Sequence, residues 1–158
     1  PRESGYYVLL AQALGEREGY ACERGEAHTI GVYSNAAHLN GYYALAPGPL
    51  DAQGRFQNMR ASIGVSVRRE GDYLCSVALA DSQGRPIATI AHPVHLAPGE
   101  HSVSVIIPGR RIASAGLDGP YRLDEVVLCD ISGAMLPADA ARNVAISGAL
   151  QSHDFAPE

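Results

Sequence analysis

Apolar residues alternate with small or polar ones along most of the chain after residue 55. In one clear example, Ile63, Val65 and Val67 are separated by Gly64 and Ser66. A period of two is typical of a strand with one face in the core, and helical spacing is almost absent. Turn-forming segments separate these runs about every eight to twelve residues, a spacing that favours an antiparallel sandwich or barrel. The pattern therefore predicts an all-β domain.

The clearest element is a predicted hairpin in the middle of the chain. Residues 73–79 and 87–96 form its strands, and residues 81–85 form its turn, where Gly84 can adopt the positive φ that a tight turn requires. Pro93 lies inside the second strand and has no N–H to donate to a neighbouring strand. We therefore expect this strand to lie at a sheet edge or to carry a bulge.

The C-terminal third shows the same alternation of short strands and turns. Residues 103–107 are expected to form a strand, residues 112–115 a short irregular turn, and residues 123–128 another strand. We expect one helical turn at residues 137–142 and a last strand at residues 144–150.

The first fifty residues are less regular and richer in Tyr and Gly. Residues 6–14 and 28–33 are expected to be strands, joined by a loop at residues 15–25, and Pro47 to Pro49 separate this part from the rest. About 45 residues make a poor independent core. We therefore expect one domain over residues 1–158, with strands and a loop in residues 1–50 and the sandwich core in residues 51–158; a small separate subdomain is the alternative.

Composition narrows the class of protein. The 158 residues are 46% hydrophobic and 18% charged, which is typical of a folded domain, and the net charge is −5 with no Lys. Nucleic-acid binding needs clustered positive charge, so we expect none. The apolar stretch at residues 6–14 is too short to span a bilayer. Because the chain begins with Pro1, we expect a processed form or a fragment.

Three cysteines are too few for a disulfide-rich scaffold. Alternation places Cys75 on the core face of its strand and Cys129 on the outer face of another, which argues against a bond between these two. One bridge and one buried thiol are expected, with Cys22 and Cys129 as the remaining candidate pair.

No pattern in the chain carries catalytic chemistry. The sequence has no Gly-x-Ser-x-Gly elbow and no Gly-rich phosphate loop that leads into a helix. His92 and His95 are three residues apart, so on a strand their rings face opposite sides rather than one metal. We expect no enzyme activity, no cofactor and no metal.

Residues 51–155 resemble an immunoglobulin-like β-sandwich module of extracellular bacterial and archaeal multidomain proteins. The resemblance rests on Asp-Gly-Pro-Tyr at residues 118–121, the turns around Gly84 and Gly99, and the closing residues 152–155. It implies an immunoglobulin-like antiparallel sandwich that is secreted or displayed at the cell surface and has no activity of its own. Its relatives tend to have an acidic, calcium-type loop where this chain has Asp51, Gln53 and Arg55, so we expect no calcium there.

The N-terminal third holds the candidate interaction residues. They are the adjacent tyrosines and the apolar strand residues, namely Tyr6, Tyr7, Val8, Leu9, Leu10, Tyr42 and Tyr43. A strand this apolar needs cover on both faces, and it can complete another sheet by strand addition. We therefore expect a structural or interaction module whose partner is another protein or further copies of itself, as in a filament or surface layer. The alternative is a carbohydrate-binding accessory domain of a secreted hydrolase, which would use exposed tyrosines as a stacking platform.

Overall fold

The structure, a computed structural model, describes residues 5–17, 20–32, 34–133 and 135–157. These residues form nine strands and one short α-helix. The strands are β1 (Gly5–Arg17), β2 (Tyr20–Val32), β3 (Ala37–Pro47), β4 (Asn58–Val67), β5 (Gly71–Ala80), β6 (Pro86–Leu96), β7 (Gly99–Pro108), β8 (Arg122–Asp130) and β9 (Leu136–Ile146). The helix α1 (Gly109–Ala115) follows β7, and a 3-10 turn lies at Ser152–Asp154.

Seven of the strands form an antiparallel sandwich. One sheet has the order β3-β4-β7 and the other has the order β6-β5-β8-β9. The chain crosses between the sheets after β4, after β6 and after β7, which is a Greek-key path of the immunoglobulin-like kind. The all-β prediction is confirmed, and β6 is an edge strand, as Pro93 predicted.

The core follows from the alternation in the sequence. Met59, Ile63 and Val65 of β4 are fully buried, and so are Tyr73 and Cys75 of β5. Their sequence neighbours on the outer faces are half-buried or exposed for the most part. Each fully buried large aliphatic side chain stabilises the fold by about 1.5–3 kcal/mol relative to its exposed state. The predicted inward position of Cys75 is confirmed.

Two connections of the sandwich are copies of one five-residue turn, Asp-x-Gln-Gly-Arg. It joins β3 to β4 at residues 51–55 and β5 to β6 at residues 81–85. In each copy, one aspartate oxygen accepts the backbone N–H groups two and four residues later, at 2.8–2.9 Å. The other oxygen accepts from the arginine Nε of the same turn, and the glycine has a φ near +80°. In the first copy, both carboxylate oxygens of Asp51 therefore already accept hydrogen bonds from groups of their own loop.

A buried aromatic group closes one end of the sandwich. The Tyr121 hydroxyl, just before β8, donates to the carbonyl of Leu117 at 2.9 Å, the arrangement known as a tyrosine corner. The Phe155 ring packs edge-on against Tyr121, with ring centres 5.9 Å apart, and against Phe56 at 5.7 Å. Backbone bonds from Phe56 to Asp154 and from Ala156 to Phe56 hold the C-terminal segment in place. Burial raises the pKa of Tyr121 to about 12.

Two predictions for the C-terminal third were wrong. Residues 109–115 form the helix α1 instead of an irregular turn, because Ile112 is fully buried on one side and Gly116 ends the helix in the left-handed conformation. Residues 137–142 lie in β9 rather than in a helical turn, because pairing with β8 overrides the helical preference of this Ala-rich segment. The last strand ends at Ile146.

The N-terminal third differs most from expectation. The sandwich begins at Ala37 rather than at residue 51, because β3 pairs with β4 and places Ala37 and Leu39 in the core. The expected loop at residues 15–25 is replaced by the ends of β1 and β2, which pair with each other from Gly5 to Arg17. These two strands form a separate two-stranded sheet.

Candidate interaction site

The strands β1 and β2 form a long hairpin, Gly5–Val32, that we call the arm. Its register is uninterrupted over 13 residues in each strand, from Gly5 opposite Val32 to Arg17 opposite Tyr20. No strand of the sandwich pairs with it in the part of the chain that the structure describes. Every arm side chain that the structure describes is exposed. The arm therefore has no core of its own.

The two faces of the arm differ in polarity. Residues directly opposite each other in an antiparallel pair share a face. One face carries Val8, Leu10, Leu14, Ala27 and Thr29, which we call the apolar face; Gln12 lies on the same face, and Glu16 lies at its end. The other face combines Leu9 with three ionisable residues, Arg24, Glu26 and His28, in which Glu26 lies 3.2 Å from Arg24 and 3.5 Å from His28. The charged side chains of the second face are well solvated, whereas exposing the apolar side chains of the first face to water is unfavourable.

The exposure of the apolar face is large. Val8 is 62% exposed, Leu10 72% and Leu14 79%. An isolated two-stranded hairpin is at best marginally stable in water, since it has no third layer against which to bury its side chains. Contiguous apolar surface on a folded protein marks a contact site more often than scattered single residues do. The apolar face is therefore the candidate interaction site.

A buried polar network fixes the segment that joins the arm to the sandwich. The Asp130 carboxylate, at the end of β8, accepts hydrogen bonds from the Ser34 hydroxyl at 3.1 Å and from Arg69 at 2.7 Å. The Ser34 backbone N–H donates to the carbonyl of Pro137 at 2.9 Å. Burial alone would raise the pKa of Asp130, but these bonds and those from Ser132 lower it. Ser34 is thus tied to β8 and β9 of the four-stranded sheet.

The two tyrosines of β3 lie on the sandwich, away from the arm. Tyr42 is exposed, whereas Tyr43 is half-buried and packs against the core, so burial raises the pKa of Tyr43. A bulge brings Asn40 and Tyr42 over Gly64 of β4, where a Cβ atom would lie 2.8 Å from the Tyr42 Cβ. The alternation rule for adjacent tyrosines holds here, and it leaves one exposed ring instead of a platform of two.

The predicted interaction residues thus fall into separate groups. Val8 and Leu10 share the apolar face, and Leu9 lies on the opposite face of the arm. The side chains of Tyr6 and Tyr7 lie outside the described residues. The candidate residues did not include Leu14, although alternation within β1 places it on the same face as Leu10. They did not include Ala27 either, because only the register of the hairpin shows that it lies opposite Leu10.

The cysteines and histidines do not form a reactive centre in the described part of the chain. Cys75 and Cys129 are free thiols, so the structure does not contain the candidate bridge from Cys129 to Cys22, whose side chain lies outside the described residues. Burial raises the pKa of Cys75 to about 11, which keeps it a thiol. His95 bonds to Asp72 at 2.8 Å, and no group of three metal-binding side chains occurs among the described residues.

An open, polar cavity of about 730 Å³ lies beside the first Asp-x-Gln-Gly-Arg turn. Hydrogen-bonding side chains from the turn, from β4 and from α1 line it, among them Gln53, Arg55, Asn58 and Arg110. Arg55 is already bonded to Asp51, whereas Arg110 is exposed at the start of α1. This is a second surface with binding chemistry, distinct from the arm.

The described residues define an antiparallel β-sandwich with a β-hairpin arm. No family model matches the chain, and no curated protein matches it. Among solved structures, a DUF4785 family protein from Legionella pneumophila is similar, with a TM-score of 0.64 and 16% identity. The match covers 90% of this chain and 36% of that chain, so this chain spans about a third of that protein's length. At this identity the likeness supports the fold alone. No helix in the described ranges is long and apolar enough to cross a membrane.

Proposed function

We propose that this chain is a non-catalytic interaction module that acts outside the cytoplasm and docks onto protein through the apolar face of its arm. The observation that carries the proposal is the exposure of Val8, Leu10 and Leu14 on a hairpin that, among the described residues, pairs with no strand of the sandwich. Burying side chains of this size provides about 1.5–3 kcal/mol each. The extracytoplasmic location rests on the resemblance of residues 51–155 to secreted sandwich modules.

The division of the molecule supports the same proposal. The sandwich has its own core and a closed aromatic end, so it does not need the arm for stability. The arm precedes Ser34, which is held in place by its bonds to β8 and β9. A sandwich with its own core and an exposed arm is the division expected of a structural or assembly module.

The experiment compares an arm variant with a matched sandwich variant. Leu10→Ser with Leu14→Ser removes two side chains of the apolar face, and Ile146→Ser removes one that is 68% exposed on the sandwich. Binding of the dye ANS, which reports exposed apolar surface, and light scattering over a concentration series are measured for each. We expect the unmodified chain and the Ile146 variant to bind ANS, as a monomer or as a dimer, and the arm variant to bind much less of it. A monomeric unmodified chain without ANS binding would refute the proposal.

A carbohydrate-binding role is the second candidate, and the polar cavity favours it more than the tyrosines do. Gln53, Asn58 and Arg110 offer amide and guanidinium groups suited to sugar hydroxyls, whereas Tyr42 is a single exposed ring. A glycan array with the unmodified chain and with Arg110→Ala tests this role. Binding that is lost in the Arg110 variant would support a glycan site at this cavity, and no binding to any glycan would count against it.

A further inference from the structure

The edges of the sandwich carry features that discourage pairing with another strand. Such features protect exposed edges, which otherwise act as templates for further strands. β3 has a bulge between Leu39 and Tyr43, and β6 contains Pro93. β9 has two register shifts and a positive φ at Asn143. The fourth edge strand, β7, is bounded at its end by Pro108.

The edges of the arm are unlike each other. β2 carries Arg24, Glu26 and His28 along its length, and charged residues are a common protection of an edge. β1 has no Pro, no bulge and no charged residue before its last two positions, Glu16 and Arg17. In the described part of the chain, no strand pairs with the outer edge of β1. This edge is regular over 13 residues, longer than β7, and unprotected.

A second copy of β1 fits this edge in one orientation. In a parallel pair in register, Glu16 would lie opposite Glu16 of the other copy, and like charges directly opposite are destabilising. In an antiparallel pair centred on Ala11, residue i lies opposite residue 22 − i by the count of the sequence. Glu16 then lies opposite the position of Tyr6, and Val8 lies opposite Leu14. No like charges are opposed. A copy of β2 at its own centre would instead place Glu26 opposite Glu26.

We propose that two copies of this chain pair through β1, antiparallel and centred on Ala11, to form a continuous four-stranded sheet of the order β2-β1-β1-β2. This inference rests on the proposed docking role of the arm: the second copy pairs with the edge of β1, and the apolar face stays free for the docked protein. The contact is twofold and uses the same edge of both chains, so it closes after two copies and does not propagate into a filament.

The pairing has two structural consequences. Opposite residues share a face, so Val8, Leu10 and Leu14 of the two copies join into one apolar face of twice the width. Each arm joins its sandwich at the Gly5–Val32 end, so the two sandwiches lie at opposite ends of the shared sheet. Thirteen residues of strand are about 40 Å long at roughly 3.3 Å per residue.

The test places a charge at the centre of the proposed pair. Ala11 is exposed and lies on the face opposite to Leu10, so a change there leaves the apolar face intact. Ala11→Lys puts two ammonium groups opposite each other only in the proposed register. The new Lys also lies beside Glu26 of the same arm, which supports the hairpin itself. Ala13→Glu is the matched control, because the new carboxylate lies opposite Arg24 of its own arm and its partner position in the proposed pair is Leu9, which has no charge.

Light scattering should give twice 16.7 kDa for the unmodified chain. Ala11→Lys should weaken the dimer at least tenfold more than Ala13→Glu does, and an equimolar mixture of Ala11→Lys and Ala11→Glu should restore dimers that each variant alone lacks. An unmodified chain that stays monomeric at all concentrations overturns the inference and leaves the docking role to its ANS test. A dimer that survives Ala11→Lys but is lost in the Leu10 and Leu14 variant would be paired face to face, which also overturns it.

Discussion

Truncation of the aromatic ring that closes the sandwich, Phe155→Ala, should strongly destabilise the domain. Phe155 is 1% exposed and contacts both Phe56 and Tyr121 at ring-centre distances below 6 Å. Deleting a buried Phe side chain costs about 3–5 kcal/mol, from the lost transfer free energy and the cavity left behind. The edge-on pair with Tyr121 and the tilted pair with Phe56 each add about 0.5–1.5 kcal/mol beyond burial.

The position of Phe155 decides where in this range the value falls. It follows the 3-10 turn at Ser152–Asp154, whose residues are exposed or half-buried, so the backbone there can move to fill part of the cavity. The backbone bonds at Phe56 oppose such a movement. We therefore expect a loss of about 3 kcal/mol for Phe155→Ala, near the lower limit for this substitution.

Urea unfolding followed by tyrosine fluorescence and by far-UV circular dichroism measures this loss. Phe155→Leu, which keeps most of the buried volume, is the control and should cost less than half as much. A loss below about 1 kcal/mol for Phe155→Ala, within the range of ordinary surface substitutions, would refute the assignment of the C-terminal segment to the core.

The other predictions concern the tyrosine corner at Tyr121, the ionisation of His95 and the two Asp-x-Gln-Gly-Arg turns. Tyr121→Phe should lower the free energy of unfolding, measured in urea, by about 1 kcal/mol. Because the pKa of Tyr121 is raised from 10.0 to about 12, the stabilisation by Tyr121 should be complete below pH 10 and lost as the pH rises through 12. A spectrophotometric titration of the phenol can follow this loss. Hydrogen bonds to carboxylates, first to Asp72, raise the pKa of His95 above 6.5. The stabilisation by His95 should therefore be complete below pH 6.5 and lost as the pH rises through its folded pKa, and His95→Gln should remove this pH dependence of the melting temperature. Asp81→Ala should lower the melting temperature more than Asp51→Ala, because the Asp81 side chain is 1% exposed and its arginine lies at 2.6 Å rather than 3.4 Å.

The strands of the core could be predicted because their alternation is unbroken. Residues 63–67 and 73–79 bury every second side chain, and pattern alone identifies such strands. β3 was not predicted because the bulge between Leu39 and Tyr43 adds two residues and interrupts its alternation. β9 escaped because its Ala-rich sequence has weak strand preference, and only its pairing with β8 makes it a strand.

The arm could be predicted only in part. The apolar run at residues 6–14 indicates a strand, but Gly15 and Gly25 suggest a loop between them. The actual pairing places Gly15 opposite Cys22 and Gly25 opposite Gln12, inside two regular strands. The candidate site depends on this register, which brings Ala27 beside Leu10 from a distant point in the sequence. A pattern confined to one strand does not contain that information.

The repeated Asp-x-Gln-Gly-Arg turn satisfies its hydrogen bonds almost wholly within five residues. Its aspartate bonds to its own backbone and to its own arginine, and the same geometry arises at two unrelated places in the sandwich. The conformation of such a segment depends little on the strands that it joins. Grafted between the strands of another antiparallel hairpin, it should carry its conformation with it, which makes it a building block for protein design.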